Sequence, residues 1–169
     1  MKRTPLKRKT PLGMTKKGTP RKRKEAKKKF TPAWYKTHLD DICKANIRSL
    51  GRCEAEGMFG VTCSGLLHAH HISRCDNMVN RWYEPNLVCL CYLHHDHIHG
   101  HAKDEIELVS KLWGDAEYEV DEMDNKGNPT GKKLRVDHYD YLMWREHFLK
   151  WDRSYESLYE YWKNKAPRS

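Results

Sequence analysis

Residues 87–101 read LVCLCYLHHDHIHGH, with five histidines and two cysteines in fifteen positions, and residues 66–73 read LLHAHHIS, with three more histidines. Eight of the eleven histidines therefore fall in two short stretches. Imidazoles and thiols crowded in this way either stay in water or converge on a proton or a cation, because burying them unpaired is costly. The rest of the chain sharpens that choice. Of its 169 residues 38% are apolar and 33% charged, so the core is small for the length. A small core usually needs a staple, either disulfide or metal, and six cysteines offer both routes. No apolar run approaches a membrane span, and no apolar segment follows the N-terminal charges. A cytoplasmic chain with no membrane attachment is the expectation, and there thiols beside histidines favour metal.

The net charge of +9 is unevenly placed. Residues 1–29 carry fourteen Lys or Arg against one acid, Glu25, and the remainder carries eighteen against twenty-two. The globular part is thus mildly acidic, and any charge-driven affinity for nucleic acid belongs to the first segment. That segment holds an imperfect repeat, KRTPLKRKTPL, and a later run, KKGTPRKRKEAKKK. It has too little apolar surface to offset its ordering entropy and reads as a disordered basic arm. Lys7, Arg8, Lys9, Arg21, Lys22, Arg23 and Lys24 are its candidate phosphate contacts.

Residues 30–51 form the next unit. Thr31 can cap a helix that has Pro32 at its first position, and Gly51 can end it. Tyr35, Leu39, Ile42 and Leu50 fall near one face. Residues 52–114 begin with glycine-punctuated turns, followed by a β-type run at NLVCLC. A helix is expected from His94 to about His99, where Gly100 interrupts, and a second one over KDEIELVSKLW, ending at Gly114. Residues 115–169 read as a hairpin or loop around NKGNPTG, followed by one aromatic-rich helix. Along that helix Trp144, Phe148, Trp151, Tyr155, Leu158 and Trp162 recur at three- and four-residue intervals. Such a stripe is a packing face in the first instance, and a docking face for a protein partner in the second.

Spacing nominates two metal groups. Cys53 and Cys63, separated by nine residues, and the C-x2-H pair Cys91 and His94 together make three thiolates and one imidazole, a common zinc set. Cys89 can stand in for Cys91, but only Cys91 has the two-residue gap to His94. Cys43 and Cys75 read as ordinary thiols. His95 and His99, four apart, share a helix face and can converge on one cation. His97 and His101 have the same spacing, but Gly100 lies between them and should break that turn. His70 and His71 are adjacent, so a strand points them to opposite faces unless the chain bends both toward one cleft. Arg74 is a candidate phosphate clamp. Arg81 is either a second clamp or a stem packed by Trp82. His38, His68, His138 and His147 read as surface residues.

The order LLHAHHISR, NRWYEPNLVCLC, HHDHIH resembles the HNH endonucleases, with their ββα-metal fold. It is similar in particular to the phage-type subset with zinc-ribbon ligands and an Arg-Trp dipeptide before the Asn. The resemblance runs from about Cys53 to His99. It implies an α+β fold: a small ββα-metal core stapled by a structural zinc, flanked by helices, with the disordered basic arm ahead of it. It implies that His71 is the general base and that Asn86 pins the loop between the strands. It also implies that His70, His95 and His99 hold one catalytic divalent cation (Mg, Mn, Ni or Zn), and that Cys53, Cys63, Cys91 and His94 hold a structural Zn. The implied activity is hydrolysis of DNA to 5′-phosphate and 3′-hydroxyl ends, in phage genome processing within the bacterial host cytoplasm. The competing expectation is a zinc-stapled DNA-binding protein or assembly factor without catalysis.

Overall fold

In this computed structural model residues 30–166 are described. The basic arm and its seven candidate phosphate contacts, Lys7, Arg8, Lys9, Arg21, Lys22, Arg23 and Lys24, lie outside the described residues. The first helix, α1 (Pro32–Arg48), starts as its sequence dictates: Thr31 is extended and its hydroxyl accepts from the Trp34 amide at 3.2 Å. Its buried face is Tyr35, Leu39, Cys43 and Ile47, at strict four-residue steps. Ile42 and Leu50, expected on that face, lie at its margin, because Cys43 occupies the centre of the stripe.

Two strands, β1 (Leu67–His71) and β2 (Leu87–Cys91), pair antiparallel with His70 opposite Val88 and His71 opposite Leu87. All five residues of β2 are buried, so both of its faces are covered. Leu87 and Cys89 pack with α1, whereas Val88 and Leu90 pack on the opposite side with Ile98, Leu108 and Leu142. The chain passes directly from β2 into α2 (Tyr92–Gly100), with Cys91 as the residue at the junction. Helix α2 packs on both strands. The described part is thus mixed α and β, with its strands in small antiparallel pairs.

Helix α2 ends at Gly100, as the sequence implies, and the chain bends at the non-helical His101 ahead of α3 (Ala102–Trp113). The break does not separate His97 from His101, whose rings stack at 4.0 Å. Beyond Gly114, where φ is positive, a true hairpin follows: β3 (Tyr118–Met123) and β4 (Pro129–Val136). Asp124 builds its turn by accepting from the Lys126 and Asn128 amides.

The C-terminal aromatic stripe is not one helix. Helix α4 (His138–Phe148) stops at an extended Leu149, and α5 (Tyr155–Asn164) starts afresh with Ser154 as its cap. The break separates the aromatic residues into two sets. Trp144 donates from Nε1 to the Asp121 carbonyl on the hairpin. Leu158 and Trp162 are buried against α1, and Trp162 donates to the Trp82 carbonyl at 3.1 Å. No helix among the described residues is long and apolar enough to cross a membrane.

His138, expected at the surface, is 2% exposed. Its Nε2 lies 2.9 Å from the Pro85 carbonyl, which can only accept, so Nε2 carries the proton and Nδ1 accepts from the Tyr118 hydroxyl at 2.8 Å. The ring also stacks on Trp113 at 4.2 Å. One neutral imidazole thus ties α4, α3 and the hairpin to the turn that precedes β2. His138→Leu keeps an apolar body and removes both nitrogens, so stability should fall by about 1–3 kcal/mol. Burial also holds this ring below its ordinary value of 6.5. Above that value it is neutral whether folded or unfolded. Below it the unfolded chain binds the proton first, and stability falls with pH. Denaturant melts at neutral and mildly acid pH should show a pH-dependent loss in the wild type that is smaller in His138→Leu.

Candidate functional site

The first site is built where β2 becomes α2. Cys91 Sγ lies 3.2 Å from His94 Nδ1, and the Cys53 and Cys63 sulfurs each lie 3.6 Å from the same nitrogen. All four donor atoms fall within 4.8 Å of one another. Cys53, Cys91 and His94 are buried. His94 Nε2 faces the Met58 carbonyl at 3.4 Å, which puts the ring proton on Nε2 and leaves the Nδ1 lone pair directed at the sulfurs. Carbonyl orientation of this kind is the usual support of a metal-ligating imidazole. The Cys91 amide also donates to Cys53 Sγ at 3.3 Å. Burial raises the Cys91 thiol, but hydrogen bonds from His94 and neighbouring donors outweigh it and bring it to about 6. Burial and then the nearby Cys53 push Cys63 up to about 12. A dication relieves that mutual repulsion, and three sulfurs with one imidazole suit tetrahedral zinc. The cluster could hold a zinc ion.

Close approach of the chain shapes this corner. Gly65 sits at φ +83, and a Cβ there would lie 2.7 Å from Tyr92 Cβ, so the residue after the Cys63 turn must be glycine for the loop to lie on α2. Cys89 is fully buried among the α1-facing residues, away from the cluster. Cys91, last in the strand, belongs with Cys53 on the other side. The two cysteines therefore do not share a face, because the chain is already turning into the helix. Cys43 is buried in the core, and Cys75 is exposed.

The second site lies on another flank of α2. His95 and His99 have ring centroids 4.5 Å apart, and His70 from β1 stands 5.2 and 5.0 Å from them. One nitrogen of each falls within 4.8 Å of the others. Burial, and then His70 and His99, hold His95 down at about 4. Glu105, from α3, meets His70 Nε2 at 2.9 Å. Three imidazoles so close repel when protonated, and as neutral donors they fit a borderline divalent cation. His68, expected at the surface, is partly buried and stacks on His95 at 5.1 Å.

His71 lines the same open cavity of about 700 Å³ as His70, His95 and His99. It is the last residue of β1, so the adjacent pair reaches one cleft where the ladder ends. Its Nε2 lies 3.1 Å from the Arg81 carbonyl. A carbonyl only accepts, so the proton sits on Nε2 and the neutral ring keeps Nδ1 as its acceptor. Burial holds the ring down at about 4, so it stays neutral near pH 7.

The loop of residues 72–86 fixes this geometry. Asn86 is fully buried; its Oδ1 accepts from the Ser73 amide at 2.6 Å, and its Nδ2 donates to the Ser73 and Asn80 carbonyls at 3.1 Å each. Asn80 in turn donates to Ser73 Oγ and the Leu142 carbonyl, and accepts from Arg145 Nε. Asn86 thus pins the loop, two residues from His71, without touching His71 itself. Arg81 is no free clamp: Nε and Nη2 bind Asp40 at 3.0 and 2.6 Å, and Nη1 binds the Cys75 carbonyl at 2.6 Å. Trp82 Nε1 adds a bond to the same carboxylate at 2.8 Å. Burial raises Asp40, but these donors outweigh it and keep its carboxyl below the usual range. The pair anchors the segment whose carbonyl orients His71. Arg74 is exposed at the cleft rim.

Cys91→Ala removes the residue that joins the strand, the helix and two other ligands. Cobalt-loaded wild type is expected to show thiolate-to-cobalt charge-transfer absorption, and Cys91→Ala to lose it along with most thermal stability, since metal binding is coupled to folding. An unchanged melt in the variant would mean that the cluster does not staple the fold.

Searches against protein-family models, curated proteins and solved structures find no match to this chain.

Proposed function

We propose that the protein is a metal-dependent endonuclease of the HNH type, hydrolysing DNA phosphodiester bonds to 5′-phosphate and 3′-hydroxyl ends. One observation carries this reading: a neutral histidine with a free acceptor nitrogen shares a cleft with three converging imidazoles. A separate Cys3His cluster at the start of the same helix supports it.

In this reading His70, His95 and His99 would hold a divalent cation; Mg²⁺, Mn²⁺, Ni²⁺ and Zn²⁺ are the candidates, and three imidazoles favour the borderline ions among them over Mg²⁺. When bound, the cation would supply Lewis-acid stabilisation of charge growing on the phosphate and the departing oxygen. His71 Nδ1 takes the proton of the attacking water, and its Nε2–H bond to the Arg81 carbonyl steadies the imidazolium that forms. Glu105 orients His70, and Asn86 holds the loop rigid. Arg74 draws the phosphate toward the cleft, while the basic arm at residues 1–29 adds non-specific affinity for DNA. Phage genome processing in a bacterial host cytoplasm is the setting we favour, following the Arg81-Trp82 variant of the motif.

Plasmid cleavage with Mg²⁺, Mn²⁺ or Ni²⁺ tests the proposal. His71→Ala should cleave about 10²–10⁴-fold more slowly while shifting DNA on a gel as the wild type does. If both proteins shift the plasmid and neither cuts it under any metal, the chain is a zinc-stapled binding protein instead. Removing residues 1–29 should weaken DNA binding and flatten its dependence on salt. An unchanged salt slope would show the arm to be idle.

A further inference from the structure

A third group of donors, independent of the nuclease reading, lies at the corner between α2 and α3. His97, His101 and Asp104 each place one donor atom within 4.8 Å of the others. His97 is on α2 and Asp104 in the first turn of α3, and His101 is the non-helical residue at the bend between them, so the bend itself brings the three together. His97 Nε2 meets Asp104 Oδ2 at 2.6 Å. That contact accounts for His97 and Asp104 but not for His101. The His101 ring lies parallel to His97 at 4.0 Å, and its Nδ1 is 2.7 Å from the His97 carbonyl. The carbonyl can only accept, so Nδ1 carries the proton and Nε2 is left as a lone pair on an exposed residue.

A backbone carbonyl that fixes the tautomer and orientation of a ring is the support a ligating histidine usually has. His97 is held as well, with Phe59 stacked on it at 5.6 Å. Phe59 belongs to the loop between Cys53 and Cys63, so the corner is braced by the cysteine cluster's own loop.

We propose that His97, His101 and Asp104 form a second imidazole-based cation site, taking a borderline divalent metal such as Zn²⁺, Ni²⁺ or Co²⁺. Two imidazoles and one carboxylate discriminate against Mg²⁺ and Ca²⁺, which prefer all-oxygen shells. A cation taken at His97 Nε2 would replace the hydrogen there, which passes to Nδ1 of the same ring or, from an imidazolium, to solvent, while Asp104 Oδ2 turns from hydrogen-bond acceptor to ligand. The bound ion ties the first turn of α3 to α2, next to Glu105, and so stiffens the corner from which His70 is oriented.

Calorimetric titration of Ni²⁺ into the untagged full chain, with the cysteine cluster already loaded with Zn²⁺, tests this. Wild type should bind two equivalents, His101→Ala one, and the paired His95→Ala, His99→Ala variant one. Asp104→Asn should weaken one of the two equivalents by at least about tenfold. His101 is exposed, so His101→Ala should melt like the wild type in the absence of nickel. If His101→Ala and Asp104→Asn bind nickel with wild-type stoichiometry and affinity, the proposal is wrong, whatever the paired variant does. If His101→Ala loses an equivalent and the paired variant does not, the corner site stands and the catalytic cation site falls.

Discussion

The buried amide of Asn86 is the constraint on which the rest of the structure depends. It bonds both backbone groups of Ser73 and the carbonyl of Asn80, so it closes the fifteen-residue connection between the strands from the inside. A connection of that length would otherwise cost ordering entropy and leave buried polar groups unmatched. Asn80 and Ser73 pass the closure on to α4, through the Leu142 carbonyl, Arg145 and Glu146. Such a network is worth little if it is half satisfied and rigid when complete. Its completeness lets a loop, rather than a strand, deliver the Arg81 carbonyl to His71.

A second anchor pulls on the same loop from the other side. Asp40, on α1, takes the guanidinium of Arg81 and the indole N–H of Trp82 together. The Arg-Trp dipeptide therefore acts as a two-pronged fastener to the leading helix, and the charge that looked available to a phosphate is neutralised by that helix. Arg74 lines the same cleft as His71 and is exposed, with no carboxylate in an ion pair with it among the described residues. Arg81 differs from Arg74 in having a carboxylate in reach, and that contact makes it structural.

Features that depend on near neighbours were legible in the sequence. Thr31 and Pro32 set the start of α1, Gly114 ends α3, and the four-residue spacing of His95 and His99 puts them on one face. The cysteine cluster was legible from the C-x2-H pair, although Cys91 is selected over Cys89 by the turn into α2 and not by a shared strand face. Features that depend on distant partners were not. Nothing around Asp40, Asn80 or Glu105 marks their roles, because each meets its partner only after loop closure. His138 looked like a surface residue because its two acceptor and donor partners, Pro85 and Tyr118, are 53 and 20 residues away. The aromatic spacing near the C-terminus misled for the opposite reason: a continuous period hid the cap at Ser154, which restarts the helix.

Helix α2 shows how four histidines can face three ways within nine residues. At about 100° per residue, His94 and Ile98 turn into the core, His95 and His99 fall on one flank, and His97 falls on the other, where the bend just past the helix brings His101 onto it. Each histidine set is then completed by an element outside the helix: cysteines from the loop and β2, His70 from β1, and Asp104 from α3. A helix this short, with four histidines and an aspartate among its nine residues, has little intrinsic stability in water. It is held by what surrounds it, through Ile98 in the core and through donors on both flanks. That makes the three groups interdependent. Loosening the cysteine corner would release the N-terminal turn that positions His95, and loosening the α3 corner would release Glu105 from His70. Placing a donor of every group on one marginal helix thus couples the assembly of the fold to that of the three groups.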